Sequence, residues 1–298
     1  MKLPKWHGIH TVLITPFRND FALDLEGHRR NVEFASKSSA HILVCLGTQG
    51  EFSSLSLEER KALMRATVEV AKGRKPVICG TGSSSTLEVI ELNRYAKDIG
   101  ADAVMVTAPY FAEVTTEGVV EHFERIGSAC DIPMFLYNAP ARAGFNLTPQ
   151  LLPRLAEVKS IVGVKQATRN VTELEETMTA VADRMVVIGG AEAMIWPCLA
   201  LGMHGNTSTA ASFMPDPMVK IYEAARSADF RTGLKLYNDQ AVLRALAKSL
   251  GHAAVVKVGM DYVGLAGGPV RPPLRTPDAA QRTRIEKALQ DLGVGRSA

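Results

Sequence analysis

Lys165 closes the apolar run Ile161-Val162-Gly163-Val164. Period-two alternation puts Val162 and Val164 on one face of a strand and Gly163 with Lys165 on the other. A lysine pointing inward above a glycine is desolvated, and desolvation favours its neutral form. An ordinary lysine, with a pKa of about 10.4, is neutral in only about one molecule in 10³ at pH 7. An amine lowered to ~7–8 is a competent Schiff-base nucleophile. The alternative is a strand-end lysine snorkelling to solvent. Tyr137, in Phe135-Leu136-Tyr137-Asn138-Ala139-Pro140, offers a phenol for proton transfer, or is a core tyrosine with one hydrogen bond. In Gly47-Thr48-Gln49-Gly50-Glu51 a glycine-bracketed turn exposes successive backbone N–H groups that can hold a carboxylate; most turns of this composition are only turns. Arg142 follows Pro140-Ala141 and suits a substrate carboxylate or the open surface. Gly189-Gly190 and Gly205-Asn206-Thr207-Ser208 fit a phosphate site or a close backbone approach to a small substrate. Lys257, in Val255-Val256-Lys257-Val258, competes for the nucleophile's role, but its helical pattern reads as a helix-surface position.

These residues need strands to carry them. Eight short apolar runs recur: His10–Phe17, His41–Leu46, Pro76–Thr81, Ala103–Pro109, Met134–Pro140, Ile161–Ala167, Met185–Gly190 and Gly205–Ser212. Their cores are continuous rather than alternating, as in a parallel sheet covered on both faces. Helical patterns lie between them. Ser56 with Glu59 and Ser85 with Glu88 have capping-box spacing. Thr148-Pro149 reads as a cap with proline at the first helical position, and Asn170 or Thr172 caps the segment that ends at Val181. Eight strand–helix units predict an α/β fold, a (β/α)8 TIM barrel with a C-terminal helical extension. The dinucleotide fold lacks its fingerprint, because Gly80-Thr81-Gly82 runs on into Ser83-Ser84-Ser85. After Ser212 only helices are predicted, over Asp216–Ser227, Thr232–Lys248, Ala253–Val263 and Asp278–Leu292. The catalytic barrel is expected over 1–228 and the helical domain over 229–298.

Composition narrows the function classes. The chain has 298 residues and a formal net charge of +3, with no basic stripe for nucleic acid. It has no apolar run of about 18 residues for a membrane span and no apolar leader at its start. Cys45, Cys79, Cys130 and Cys198 lie in apolar stretches without CxxC spacing, which predicts reduced, buried thiols in a cytoplasmic protein. The seven histidines lack HxH or HExxH spacing, so no metal is expected. A Walker A loop and a nucleophile elbow are also missing.

Taken in order and spacing, several segments resemble the dihydrodipicolinate synthase / N-acetylneuraminate lyase family. They are Thr15-Pro16-Phe17, Gly47-Thr48-Gln49-Gly50-Glu51, Gly80-Thr81-Gly82, Thr107-Ala108-Pro109-Tyr110, Tyr137 to Gly144, Gly163-Val164-Lys165 and Arg271-Pro272-Pro273-Leu274. The resemblance implies a class I lyase or aldolase acting on pyruvate or a related 2-oxo acid, with no cofactor. It also implies a homotetramer arranged as a dimer of dimers, with neither nucleic acid nor membrane as a partner. It gives Lys165 the Schiff base, Tyr137 the proton transfer and Thr48 a hydrogen bond to that tyrosine and the carboxylate. Gln49, Arg142, Gly190, Thr207 and Phe111 join as substrate-binding positions.

Some positions depart from the synthase pattern. Gln49 stands for a usual threonine, Phe111 for a tyrosine lent across a subunit interface, and Ala143 for a threonine. Asn206-Thr207 replaces a more apolar pair. These departures favour a catabolic lyase, dehydratase or deaminase of a hydroxylated 2-oxo acid. The alternatives are a synthase joining pyruvate to aspartate semialdehyde and a non-catalytic 2-oxo acid sensor.

Overall fold

The computed structural model describes residues 5–295. Its strands are β1 (Gly8–Val12), β2 (Ile42–Cys45), β3 (Val77–Gly80), β4 (Ala103–Thr107), β5 (Met134–Asn138), β6 (Ile161–Gln166), β7 (Val186–Gly189) and β8 (Gly205–Ser208). They close into a barrel in sequence order. β1 pairs with β2 in parallel, and from β3 to β8 each strand is parallel to the next. Apart from Val162 every strand residue is buried. That double-sided burial accounts for the continuous apolar runs. The fold is therefore the expected (β/α)8 barrel.

The helices are α1 (Leu25–Lys37), α2 (Leu57–Ala71), α3 (Thr86–Asp98), α4 (Thr116–Ala129), α5 (Pro140–Ala143), α6 (Leu152–Leu155), α7 (Val171–Val181), α8 (Ile195–Ala200), α9 (Pro215–Arg226), α10 (Phe230–Asp239), α11 (Ala241–Leu250), α12 (His252–Tyr262) and α13 (Ala279–Asp291). Side-chain caps set many of the starts. Ser56 and Glu59 form the full capping box of α2. Ser85 caps α3 without the reciprocal bond. Asn170, not Thr172, caps α7, its Oδ1 accepting from the N–H groups of Thr172 and Glu173.

Three expectations shift. β1 ends at Val12, and Phe17 is buried outside the sheet, bridging Leu23; its apolarity reflects that burial rather than a strand. Thr148 opens a turn through its carbonyl, which accepts from Leu151 and Leu152, so the next helix starts later than the cap reading puts it. The single helix expected over Thr232–Lys248 is two. At Gln240 the backbone leaves helical geometry (φ −87°, ψ 7°), and the freed Tyr237 carbonyl accepts from the Gln240 N–H and the Arg244 guanidinium.

Two compact units make up the chain. One takes Val77–Thr207 with the segment that ends at Gly8; the other takes Ile9–Pro76 with the chain from Ser208 on. In the first, the Trp6 ring meets the Phe135 ring edge-on at 5.8 Å. In the second, α1 and α2 pack together, with the His28 Nε2 and Thr67 Oγ1 at 2.8 Å. Among the described residues no helix is long and apolar enough to cross a membrane.

Candidate active site

The registers of β5 and β6 place Tyr137 directly opposite Lys165 and Asn138 opposite Gln166. Gln166 donates from Nε2 to Thr177 Oγ1 on α7, at 3.0 Å, so it faces the helices. Lys165, one residue earlier, faces the other way. The room expected beneath Lys165 is filled by an aromatic ring: a Cβ on Gly163 would meet Phe135 Cε1 at 2.4 Å and the Val186 carbonyl at 2.7 Å. Only glycine lets β6 lie this close to Phe135. The pairing of β5 with β6 shifts register between Met134 and Phe135, beside this close approach.

Lys165 is 3% exposed and Tyr137 6%, and the Lys165 Nζ lies 4.0 Å from the centre of the Tyr137 ring. Burial pulls the Lys165 pKa below its ordinary value. The Arg142 charge pulls the same way, while the charge and hydrogen bond of Tyr137 oppose it. The balance is a lowered pKa, which suits an amine that must be neutral to attack a carbonyl.

Behind this pair lies a polar network that the sequence reading missed. Asn138 Nδ2 donates to Asn146 Oδ1 (2.8 Å), Gln166 Oε1 (2.9 Å) and the Leu147 carbonyl (3.1 Å), and its Oδ1 accepts from the Leu147 N–H at 3.0 Å. Asn146 and Thr168 donate to the two oxygens of Glu173. The network joins β5, β6, the loop after α5 and α7 on the side away from Lys165. One signal in the sequence points to it: each candidate catalytic residue is followed by an amide, Tyr137-Asn138 and Lys165-Gln166. Alternation sends both amides into the helix layer, where each must find a partner. Replacing Asn138 with leucine strands several buried groups at once. The expected loss of stability is on the order of 3 kcal/mol, read from urea unfolding; a loss under about 0.5 kcal/mol would show that the network holds nothing.

The other candidates in this unit are placed differently. Gly190 donates its N–H to the Gln166 carbonyl at 2.6 Å, and a Cβ there would meet that oxygen at 2.9 Å; only a bare backbone fits against the end of β6. Thr207 is buried and donates to the Gly189 carbonyl at 3.1 Å. Its neighbour Asn206 lies over Gly189, and a Cβ at that glycine would fall beside both Asn206 Oδ1 and Cys198 Sγ of α8. Asn206 therefore faces the helix layer, and Thr207, by alternation, the interior. Arg142 is exposed on α5, which Gly144 ends in the left-handed region (φ 75°). Phe111 is fully exposed on a left-handed backbone (φ 61°).

The second unit holds the turn at Thr48 and Gln49. A single 3-10 turn, Thr48–Gly50, follows β2, closed by the Gly50 N–H on the Gly47 carbonyl (2.9 Å) and the Glu51 N–H on the Thr48 carbonyl (3.1 Å). Both Thr48 and Gln49 are half-buried. Thr15 Oγ1 donates to the Gly50 carbonyl at 2.6 Å.

Lys257 corrects the sequence reading. It is 1% exposed, not on the helix surface. Its Nζ pairs with Glu51 Oε1 at 2.6 Å and donates to the Pro269 carbonyl at 2.6 Å. Burial lowers its pKa and Glu51 pulls it back up. The segment after α12 covers this face of the helix, which its local pattern could not reveal.

The Dihydrodipicolinate synthetase family model matches residues 5–292. The chain belongs to this family. It is 37% identical over 291 residues to the 4-hydroxy-tetrahydrodipicolinate synthase of Methanoculleus marisnigri, covering 97% of this chain and 100% of that protein. Among solved structures it resembles the chloride-inhibited dihydrodipicolinate synthase of Acinetobacter baumannii complexed with pyruvate, at 33% identity and a TM-score of 0.91 over 97% and 99% of the two chains. The dihydrodipicolinate synthase of Aquifex aeolicus superposes with a TM-score of 0.93 at 28% identity over 98% and 100%. As a member of this family the chain is a lyase.

Proposed function

We propose that Lys165 forms a Schiff base with pyruvate and that the chain is a 4-hydroxy-tetrahydrodipicolinate synthase like its relative from Methanoculleus, joining pyruvate to aspartate semialdehyde as the family resemblance implies. The observation that carries the chemistry is the buried Lys165 amine in register with Tyr137. The neutral amine attacks the pyruvate carbonyl carbon, and loss of water leaves a protonated imine. That imine draws electrons from the adjacent methyl carbon, so a proton can leave and an enamine forms. The enamine carbon then attacks the aldehyde. Tyr137 moves the protons at these steps. Thr48 and Gln49 hold the carboxylate, a role they take from the resemblance alone, as Phe111 and Arg142 do theirs toward the second substrate.

Asn206 loses its weight as a sign of a polar substrate, because it packs toward α8. This supports the condensing reaction over the catabolic one. Thr207 is the observation that keeps cleavage of a hydroxylated 2-oxo acid as the second reading, since its hydroxyl is on the interior face. A coupled assay with pyruvate and aspartate semialdehyde decides. Saturable condensation is expected; no condensation, with cleavage of a sugar-derived 2-oxo acid, would move the assignment to the second reading. Turnover of neither, with saturable pyruvate binding, would make the chain a sensor. The proposal also includes a barrel over 1–228, a helical domain over 229–298, a cytoplasmic setting and a homotetramer, for which light scattering is the check.

A further inference from the structure

A deeply buried ion pair of the second unit takes no part in the proposed chemistry. Glu51 is 3% exposed and Lys257 1%. Stability alone does not call for such a pair, since an apolar pair of similar volume often packs as well or better. A paired charge does give direction, and the directions here converge on one backbone turn. Glu51 closes the Thr48–Gly50 turn through its N–H, and its carbonyl accepts from the Ser54 N–H and hydroxyl. Its own backbone is left-handed (φ 56°), a conformation that side-chain-bearing residues resist.

The carboxylate of Glu51 is held on both oxygens. Oε1 meets Lys257 Nζ, and Oε2 accepts the Arg271 N–H at 2.9 Å. Arg271 in turn grips the far side. Its guanidinium donates to both Glu59 oxygens, to the Ser54 carbonyl and to the Phe21 carbonyl. Both cations contact the Phe17 ring, whose centre is 4.3 Å from Lys257 Nζ and 4.2 Å from the Arg271 guanidinium carbon. Gly267 keeps the chain after α12 tight against that helix, as a Cβ there would stand 2.0 Å from the Lys257 carbonyl. The exit of the Thr48–Gly50 turn is thus bolted through one carboxylate to α12 and to the segment at Pro269–Arg271.

We propose that Lys257, Glu51 and Arg271 are positioning residues that fix the Thr48–Gly50 turn and thereby set the affinity for the 2-oxo acid carboxylate. This rests on the proposed function, in which Lys165 binds pyruvate covalently while Thr48 and Gln49 hold its carboxylate. A loosened turn weakens substrate and transition state alike, so KM rises while kcat holds.

The test compares Lys257→Met, Glu51→Gln and the double variant. Each is titrated with pyruvate, by borohydride trapping at Lys165 and by steady-state turnover, beside its melting midpoint. Lys257→Met leaves a buried carboxylate without its cation and should raise the KM for pyruvate by about tenfold or more, with kcat within about threefold. The double variant removes both charges, so its melting midpoint should recover while KM stays high. A role in folding alone predicts instead that KM recovers with stability, and that result would overturn the proposal. So would an unchanged KM in a folded single or double variant, or a loss in kcat alone. Failure of the underlying reading looks different: wild-type protein would then give no pyruvate-dependent adduct at Lys165, and both readings would fall.

Discussion

Replacing Lys165 with methionine should abolish turnover, by at least about 10⁴-fold as for other covalent nucleophiles, while leaving the fold as stable as before or more so. The two halves of this expectation have one cause. Lys165 is 3% exposed, and burial pulls its pKa down. A buried amine costs stability that an apolar side chain of similar length does not. On the proposed mechanism the protein keeps that cost because a neutral amine is the reacting group, a common trade between function and stability. Borohydride with pyruvate should leave a reduced adduct on the Lys165 peptide of wild type and none on the variant. An adduct on Lys257 would overturn the assignment.

The pH dependence of trapping follows from the direction of the shift. Only the neutral amine attacks, so adduct formation rises with pH through the lowered Lys165 pKa and levels off above it. The rise should therefore lie below 10.5, the ordinary lysine value. A rise centred at that value would mean that burial does not tune this amine.

The buried, facing placement of Lys165 and Tyr137 is legible in the sequence because a strand end has a simple rule. Alternation sets the face, a parallel barrel buries both faces, and the C-terminal ends carry the chemistry. Lys257 is not legible because its surroundings are not local. Glu51, which pairs with it, and Arg271, which holds the other oxygen of that carboxylate, are separated from each other by 220 residues of chain, and a helical pattern says nothing of what folds over it. Asn206 misleads for the opposite reason. Its polarity is plain in the sequence, but polarity without a face says little about substrate, and one step of alternation from Thr207 turns it toward α8. Phe17 shows a further limit: apolar residues mark burial, and the sheet is only one of the places where burial happens. At the break by Gln240 an arginine one turn on donates from its guanidinium to the Tyr237 carbonyl, a contact of which helix propensity carries no signal.

Changing Tyr137 to phenylalanine removes one oxygen and keeps the ring that lies 4.0 Å from the Lys165 amine. The packing of β5 against β6 should survive, because the register is held from behind by Asn138 and Gln166. What goes is the phenol that, on the proposed mechanism, takes and returns protons during imine and enamine formation, and a positioned proton-transfer group contributes about 10²–10⁴-fold. The expected result is that loss in kcat with a folded enzyme. Two slower processes separate the steps. Borohydride trapping at long incubation should still label Lys165, since the amine remains and loses a partner that raised its pKa. Exchange of the pyruvate methyl protons into deuterated water, which reports enamine formation, should fall along with turnover. If exchange persists at the wild-type rate while condensation is lost, Tyr137 acts on the aldehyde and not on the enamine. If turnover is unchanged, the tyrosine is a packing residue, and the proton must pass through another group on the Lys165 face.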